Sequence, residues 1–166
     1  MKRERTKTPA TGRAVIVTTF TIALLLTSLP MPSWAQLWRP AWVALVLIYW
    51  CLAVPGRVGV LIGWSIGLAL DAMSGTLLGQ HALALAAVAF VSQNSHHWVR
   101  ALPLAQQCLC VFGLVCAYQL LVSWISTMQG LAVAPLAYFA PAVISMLLWP
   151  WVFVLLRDVR RKYHIA

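Results

Sequence analysis

The sequence predicts an all-α integral membrane protein with six transmembrane helices, and three observations carry that prediction. The first is composition: 62% of the 166 residues are hydrophobic and 9% are charged, against roughly 25% charged in an average soluble domain. A globule of this length has too little interior for so much apolar side chain, so lipid has to be the remaining solvent. The second is a series of six apolar runs, at about 14–30, 41–55, 58–73, 77–93, 104–125 and 137–156, separated by breaks rich in Pro, Gly or charge. The third is where the cations fall. Six spans put both termini on one side; with the termini in the cytoplasm, Lys2, Arg3, Arg5, Lys7, Arg13, Arg57, Arg100, Arg157, Arg160, Arg161 and Lys162 lie inside and only Arg39 lies outside. Such a bias is the positive-inside pattern. The net charge of +9 therefore reports topology and not a surface for nucleic acid, which would need the same cations against phosphates.

Taken in order, residues 1–13 form a basic cytoplasmic N-terminus and 14–30 the first span. A competing reading is a signal peptide cut after Ser33-Trp34-Ala35, which would remove residues 1–35. The uncleaved helix is favoured because 14–30 is long for a signal core and the proline-rich break after it is an ordinary loop. The second span enters at Arg39-Pro40 and stops at Pro55-Gly56-Arg57; the third runs to the Ser74-Gly75-Thr76 break, where the fourth begins. Between spans four and five, residues 93–106 hold His96, His97, Trp98 and Arg100. That set suits an interface-lying segment or a cytoplasmic partner contact, headgroup anchoring being the plainer reading. Residues 157–166 form a basic cytoplasmic tail after the sixth span. Several spans fall short of the ~20 residues that cross a ~30 Å core, so bilayer thinning or tight helix clustering should accompany them. Tryptophans 34, 38, 42, 50, 98, 124, 149 and 151 mostly lie near span ends, as an aromatic belt predicts.

The most informative pattern is on the third span. Gly59, Gly63, Gly67 and Asp71 recur every four residues and so share one stripe. Glycines at that spacing let a helix approach closely, whether a partner's or one of the chain's own. The stripe ends in the only acidic residue inside a span, about 18 Å along the axis from Gly59 and so in the outer part of the membrane. A carboxylate there must be paired, neutralised or wetted. The candidates are an ion pair with Arg39, or a contact with Gln80 or His81 at the start of span four; the plainer alternative is that Asp71 caps a short helix beside Ser74-Gly75.

Enzymatic readings lack parts. Gly56-Arg57-Val58-Gly59 is not a phosphate loop, and His96-His97 are adjacent and should diverge on a helix. Only three acidic residues are present, two of them, Glu4 and Asp158, in terminal segments, which leaves no carboxylate pair for acid/base work. Cys51, Cys108, Cys110 and Cys116 read as small buried hydrophobes, with no redox or zinc spacing. No catalytic residue, metal or cofactor is expected.

Residues 38–50 (Trp-Arg-Pro-Ala-Trp through Tyr49-Trp50), then Pro55-Gly56-Arg57, Gly67-Leu68-Ala69-Leu70-Asp71 with Ser74-Gly75 and Leu78-Gly79, and finally Leu148-Trp149-Pro150-Trp151 with the basic tail, resemble the MreD family of rod shape-determining proteins in its proteobacterial form. The likeness covers nearly the whole chain, although spans one and five match only as apolar helices. It implies an inner-membrane scaffold of the cell-elongation machinery, alongside MreC, MreB, RodA and a transpeptidase penicillin-binding protein, organising lateral peptidoglycan synthesis and maintaining rod shape. The family distantly resembles the six-helix substrate-binding subunits of energy-coupling factor transporters, which supplies the expected fold. A rival function is therefore a vitamin-type small-molecule binding subunit. Such a subunit needs an outward pocket with converging polar groups, and the outer segments offer only Arg39, Asp71, Thr76, Gln80, His81 and Gln129. Lipid handling is permitted by the short helices but has no specific residue behind it.

Overall fold

The computed structural model describes residues 9–30, 32, 38–130 and 139–163, and among these the only regular structure is helical. Seven helices follow in order: α1 Pro9–Ser28, α2 Trp42–Ala53, α3 Val60–Ser74, α4 Gln80–Asn94, α5 His96–Ala101, α6 Leu104–Met128 and α7 Ala140–Lys162. Two of them, α6 with 25 residues and α7 with 23, are long and apolar enough to cross a membrane. Helix α7 runs through the basic stretch to Lys162 instead of ending at 156. The candidate cleavage positions 33–35 lie outside the described residues, as does Trp34.

The centre of the molecule is α2. Its sequence is apolar on every side, the mark of a helix with no solvent face, and the structure buries all of Val43 through Leu52. Around it stand α1, α4, α5, α6 and α7. At 1.5 Å per residue α2 is only about 18 Å long, well short of a ~30 Å hydrocarbon core; its neighbours, not lipid, meet its sides.

Helix α1 carries many hydroxyls, and it hides them. Thr18, Thr19, Thr21, Thr27 and Ser28 donate to the carbonyls of Ala14, Ile16, Val17, Ala23 and Leu24, three or four residues back, at 2.7–3.0 Å. Bonds of this kind satisfy a hydroxyl without a partner from another element. Thr19 serves twice, because its Oγ1 also accepts from the indole N–H of Trp50 at 3.0 Å.

Trp50 and Trp149 depart from the aromatic-belt expectation. Both are fully buried, packed with Tyr49 and Phe153 in edge-on and tilted ring contacts of 5.4–6.1 Å between centroids. Edge-to-face geometry favours such clusters inside a core. Trp38, Trp98, Trp124 and Trp151 are exposed, so position near a span end did not distinguish the two roles. Cys51 and Cys108 are buried, and the four cysteines are free thiols.

Candidate functional site

The glycine stripe of α3 packs against α4, within the chain itself. A Cβ built on Gly67 would lie 2.3 Å from the Cα of Ala82 and 2.6 Å from its nitrogen; one on Gly63 would lie 3.0 Å from the Leu85 carbonyl and 3.1 Å from the Ala89 Cβ. At Gly59 the neighbour is the amide end of Gln93, 2.7 Å away. The seam is tightest at Gly67, where backbone meets backbone. Small residues on α4, notably Ala82 and Ala89, complete the close approach from the other side.

One helical turn beyond Gly67, the same stripe delivers Asp71 to the start of α4. Helix α3 ends in the turn after Ser74, with Gly75 at φ 64 donating its N–H to the Asp71 carbonyl. The chain then returns through Gly79 at φ 107, a left-handed conformation that costs glycine nothing and a Cβ-bearing residue much. This return places the first amides of α4 on the Asp71 side chain. Gly79 N–H donates to Oδ2 at 2.9 Å, His81 N–H to Oδ1 at 2.9 Å and Ala82 N–H to Oδ2 at 3.3 Å. Thr76 Oγ1 donates to Oδ1 at 3.0 Å, and His81 Nδ1 lies 2.7 Å from the same oxygen. With the carboxylate as acceptor, the imidazole proton sits on Nδ1.

Asp71 therefore caps the start of α4 from the preceding helix, the N-cap position itself being Gly79, which has no side chain to do so. The orphan amides of a helix start need acceptors, and the positive end of the helix dipole favours an anion. Asp71 is completely buried, and these five donors offset the loss of water around it.

Arg39 does not pair with Asp71. Its guanidinium donates to the carbonyls of Leu26, at 3.2 Å, and Leu29, at the end of α1. The physical reason is the same as for Asp71: the last carbonyls of a helix lack intrahelical donors and attract a cation. Gln80 likewise points elsewhere, with Nε2 donating to Ser126 Oγ at 2.8 Å and to the Val122 carbonyl at 3.3 Å, and Oε1 accepting from Gln129 Nε2 at 3.2 Å. Gln80 thus ties α4 to α6, while His81 takes the contact with Asp71.

On the segment after α4, the structure spreads His96, His97, Trp98 and Arg100 over the short helix α5. The two imidazoles do not diverge; their centroids are 3.8 Å apart, with His96 Nδ1 at 2.6 Å from the Gln93 carbonyl. Val99 is buried and anchors α5, leaving Trp98 81% exposed. Sequence reasoning named Thr76 and Gln129 only as outer polar groups and missed Gly79 and Ser126 as site members. The Leu78-Gly79 pair just before α4 was the available signal.

The side chains of Asp71, Gln80 and Arg39 bond to helix ends and neighbouring helices, and among the described residues no set of three His, Cys, Asp or Glu side chains could hold a metal ion. Over the described residues, fold and site together define an all-helical protein with apolar helices consistent with a membrane protein. Comparison with known proteins gives the class a family. The model of the family described as rod shape-determining protein MreD matches residues 9–159. The chain is also 39% identical, over 152 residues, to the Rod shape-determining protein MreD of Haemophilus influenzae, covering 90% of this chain and 93% of that protein. No solved structure matches. The chain belongs to the MreD family, and that membership supports a role in determining rod shape.

Proposed function

We propose that this protein is a non-enzymatic inner-membrane scaffold of the cell-elongation complex, crossing the membrane six times with both termini in the cytoplasm. In this reading it has the helix arrangement suggested by the likeness to energy-coupling factor subunits. It organises lateral peptidoglycan synthesis with MreC as the nearest partner, and MreB, RodA and a transpeptidase penicillin-binding protein in the same assembly. The observation that carries the reading, beyond family membership, is how the outer polar groups are used. Asp71, Thr76 and His81 bond to one another and to the start of α4, and Gln80 and Gln129 bond to each other and to α6. Groups so engaged serve a rigid frame better than a ligand pocket, which needs convergent polar atoms left open.

The test is depletion in the native bacterium, followed by microscopy of cell shape and rescue with wild-type and Asp71→Ala copies at matched protein level. Rounded cells restored to rods by the wild type, with MreC co-purifying, support the scaffold. Cells that stay rod-shaped while losing uptake of a vitamin overturn it.

A further inference from the structure

Where α2 ends, a small cavity of about 130 Å³ opens between that end, α5, the start of α6 and the last turns of α7. Three arginines line it: Arg100 from α5, and Arg157 and Arg160 from α7. Their engagements within the chain are slight. Arg160 Nη1 reaches the Ala53 carbonyl at 3.4 Å, the Arg157 guanidinium lies 6.0 Å from the centre of the Phe153 ring, and Arg157 Nε lies 3.7 Å from Asp158, both of those side chains being well exposed. Converging cations repel unless an anion sits among them. Phosphate is the anion whose geometry guanidinium groups match best.

Gln107 also lines the cavity, its Nε2 donating to the Leu102 carbonyl at 3.0 Å. Leu52 and Phe153 add an apolar wall. At about 130 Å³ the site has room for a phosphate group and a small substituent, and its open side leaves space for the rest of a larger molecule.

We infer that this cavity binds the phosphate group of a phosphate ester, the three arginines holding its oxygens. Two sources share that chemistry: a phosphatidylglycerol-type headgroup in the adjoining leaflet, and a soluble glycerol phosphate. The inference stands apart from the scaffold reading and from any partner protein.

The experiment uses the purified full chain in neutral detergent, with thermal unfolding followed by tryptophan fluorescence. Short-chain phosphatidylglycerol, short-chain phosphatidylcholine and glycerol phosphate are titrated separately. Phosphatidylglycerol should stabilise the wild type and phosphatidylcholine should not. The double variant Arg100→Gln/Arg157→Gln, whose side chains are exposed, should bind roughly fivefold more weakly per arginine removed, the equivalent of about 1 kcal/mol for each basic residue beside an anionic lipid. Arg57→Gln, exposed and outside the cavity, should match the wild type. Stabilisation by glycerol phosphate alone assigns the site to the soluble ester; stabilisation by the lipid alone assigns it to the leaflet. Equal response to both lipids, no response to either phosphate ester, or full binding by the double variant overturns the inference. Should the double variant fail to fold, native mass spectrometry of the wild type decides: preferential retention of phosphatidylglycerol over phosphatidylcholine supports the site, and equal retention removes it.

Discussion

Replacing Gly67 by Ala tests the α3–α4 seam most directly. The new Cβ would lie 2.3 Å from the Ala82 Cα, whereas carbon atoms in contact prefer about 3.5–4.0 Å. Neither atom belongs to a flexible side-chain end, so the helices must part by about 1 Å, enough to forfeit a quarter to a half of the dispersion energy along the seam. Overpacking of this kind costs about 1–3 kcal/mol. Parting the helices also draws the Ala82 and His81 amides away from Asp71, and a hydrogen bond to a charged group contributes about 1.5–3 kcal/mol. Alanine returns about 1 kcal/mol of helix propensity over glycine. The net expectation is a loss of about 3 kcal/mol, which for a chain of this size corresponds to a melting temperature lower by roughly 6–12 °C. Gly113→Ala is the matched control, since nothing lies within 4 Å of its Cβ position, and it should be neutral or slightly stabilising. Thermal unfolding of both variants in the same detergent measures the difference. If Gly67→Ala melts with Gly113→Ala, the close approach of α3 and α4 is refuted.

Asp71→Asn keeps the shape but turns an NH2 toward donors, so it should destabilise by about 2–3 kcal/mol; an unfolding midpoint equal to wild type would remove Asp71 as the cap of α4. Because Gly67 and Asp71 act on the same amides, the double variant should lose less than the sum of the singles, and additivity within about 0.5 kcal/mol would show them to be independent. Gln80→Leu should loosen α4 from α6 by about 1 kcal/mol and leave Ser126 to its own Val122 bond, read as faster amide exchange at the start of α4. Trp50→Phe should cost about 1 kcal/mol or more through the lost Thr19 bond and the small void, while Trp151→Phe, on an exposed ring, should not register in the same unfolding assay.

What was legible in the sequence was the buried acid and one candidate contact, His81; what was not was the set of backbone amides that meets it. Asp71 stood out because an acid inside an apolar run is expensive wherever it points. Its donors lie five to eleven residues downstream, beyond the three-residue spacing of a capping box, so no local pattern joins them. Charge alone makes Arg39 one candidate for Asp71, as the one outer cation beside the one acid inside a span. The structure satisfies each with backbone at a helix end, because those ends present unfilled donors and acceptors in the immediate neighbourhood of the chain. The tryptophans failed differently. Buried Trp149 and exposed Trp151 stand two residues apart on α7, so distance from a chain break does not separate the two roles; which face of the helix meets a neighbour does. The three arginines at the α2 end were read one at a time as topology markers, since nothing in sequence spacing brings residue 100 beside residues 157 and 160.

The glycines and the aspartate make one device. A stripe of period four keeps one face toward α4 for its whole length, so the register that seats Gly67 on Ala82 also decides which side chain meets the α4 amides. Sliding α3 by a single residue would rotate it by about 100° and move it by 1.5 Å, turning Asp71 off the amides and an alkyl side chain into the seam. Either fault alone would be resisted by the other: the buried carboxylate holds the register that the glycines permit, and the glycines exclude the registers in which the carboxylate would be left without donors. A frame locked in this way gives α4, and through Gln80 the α6 helix, a fixed position relative to α3, which is the property a scaffold has to offer its partners.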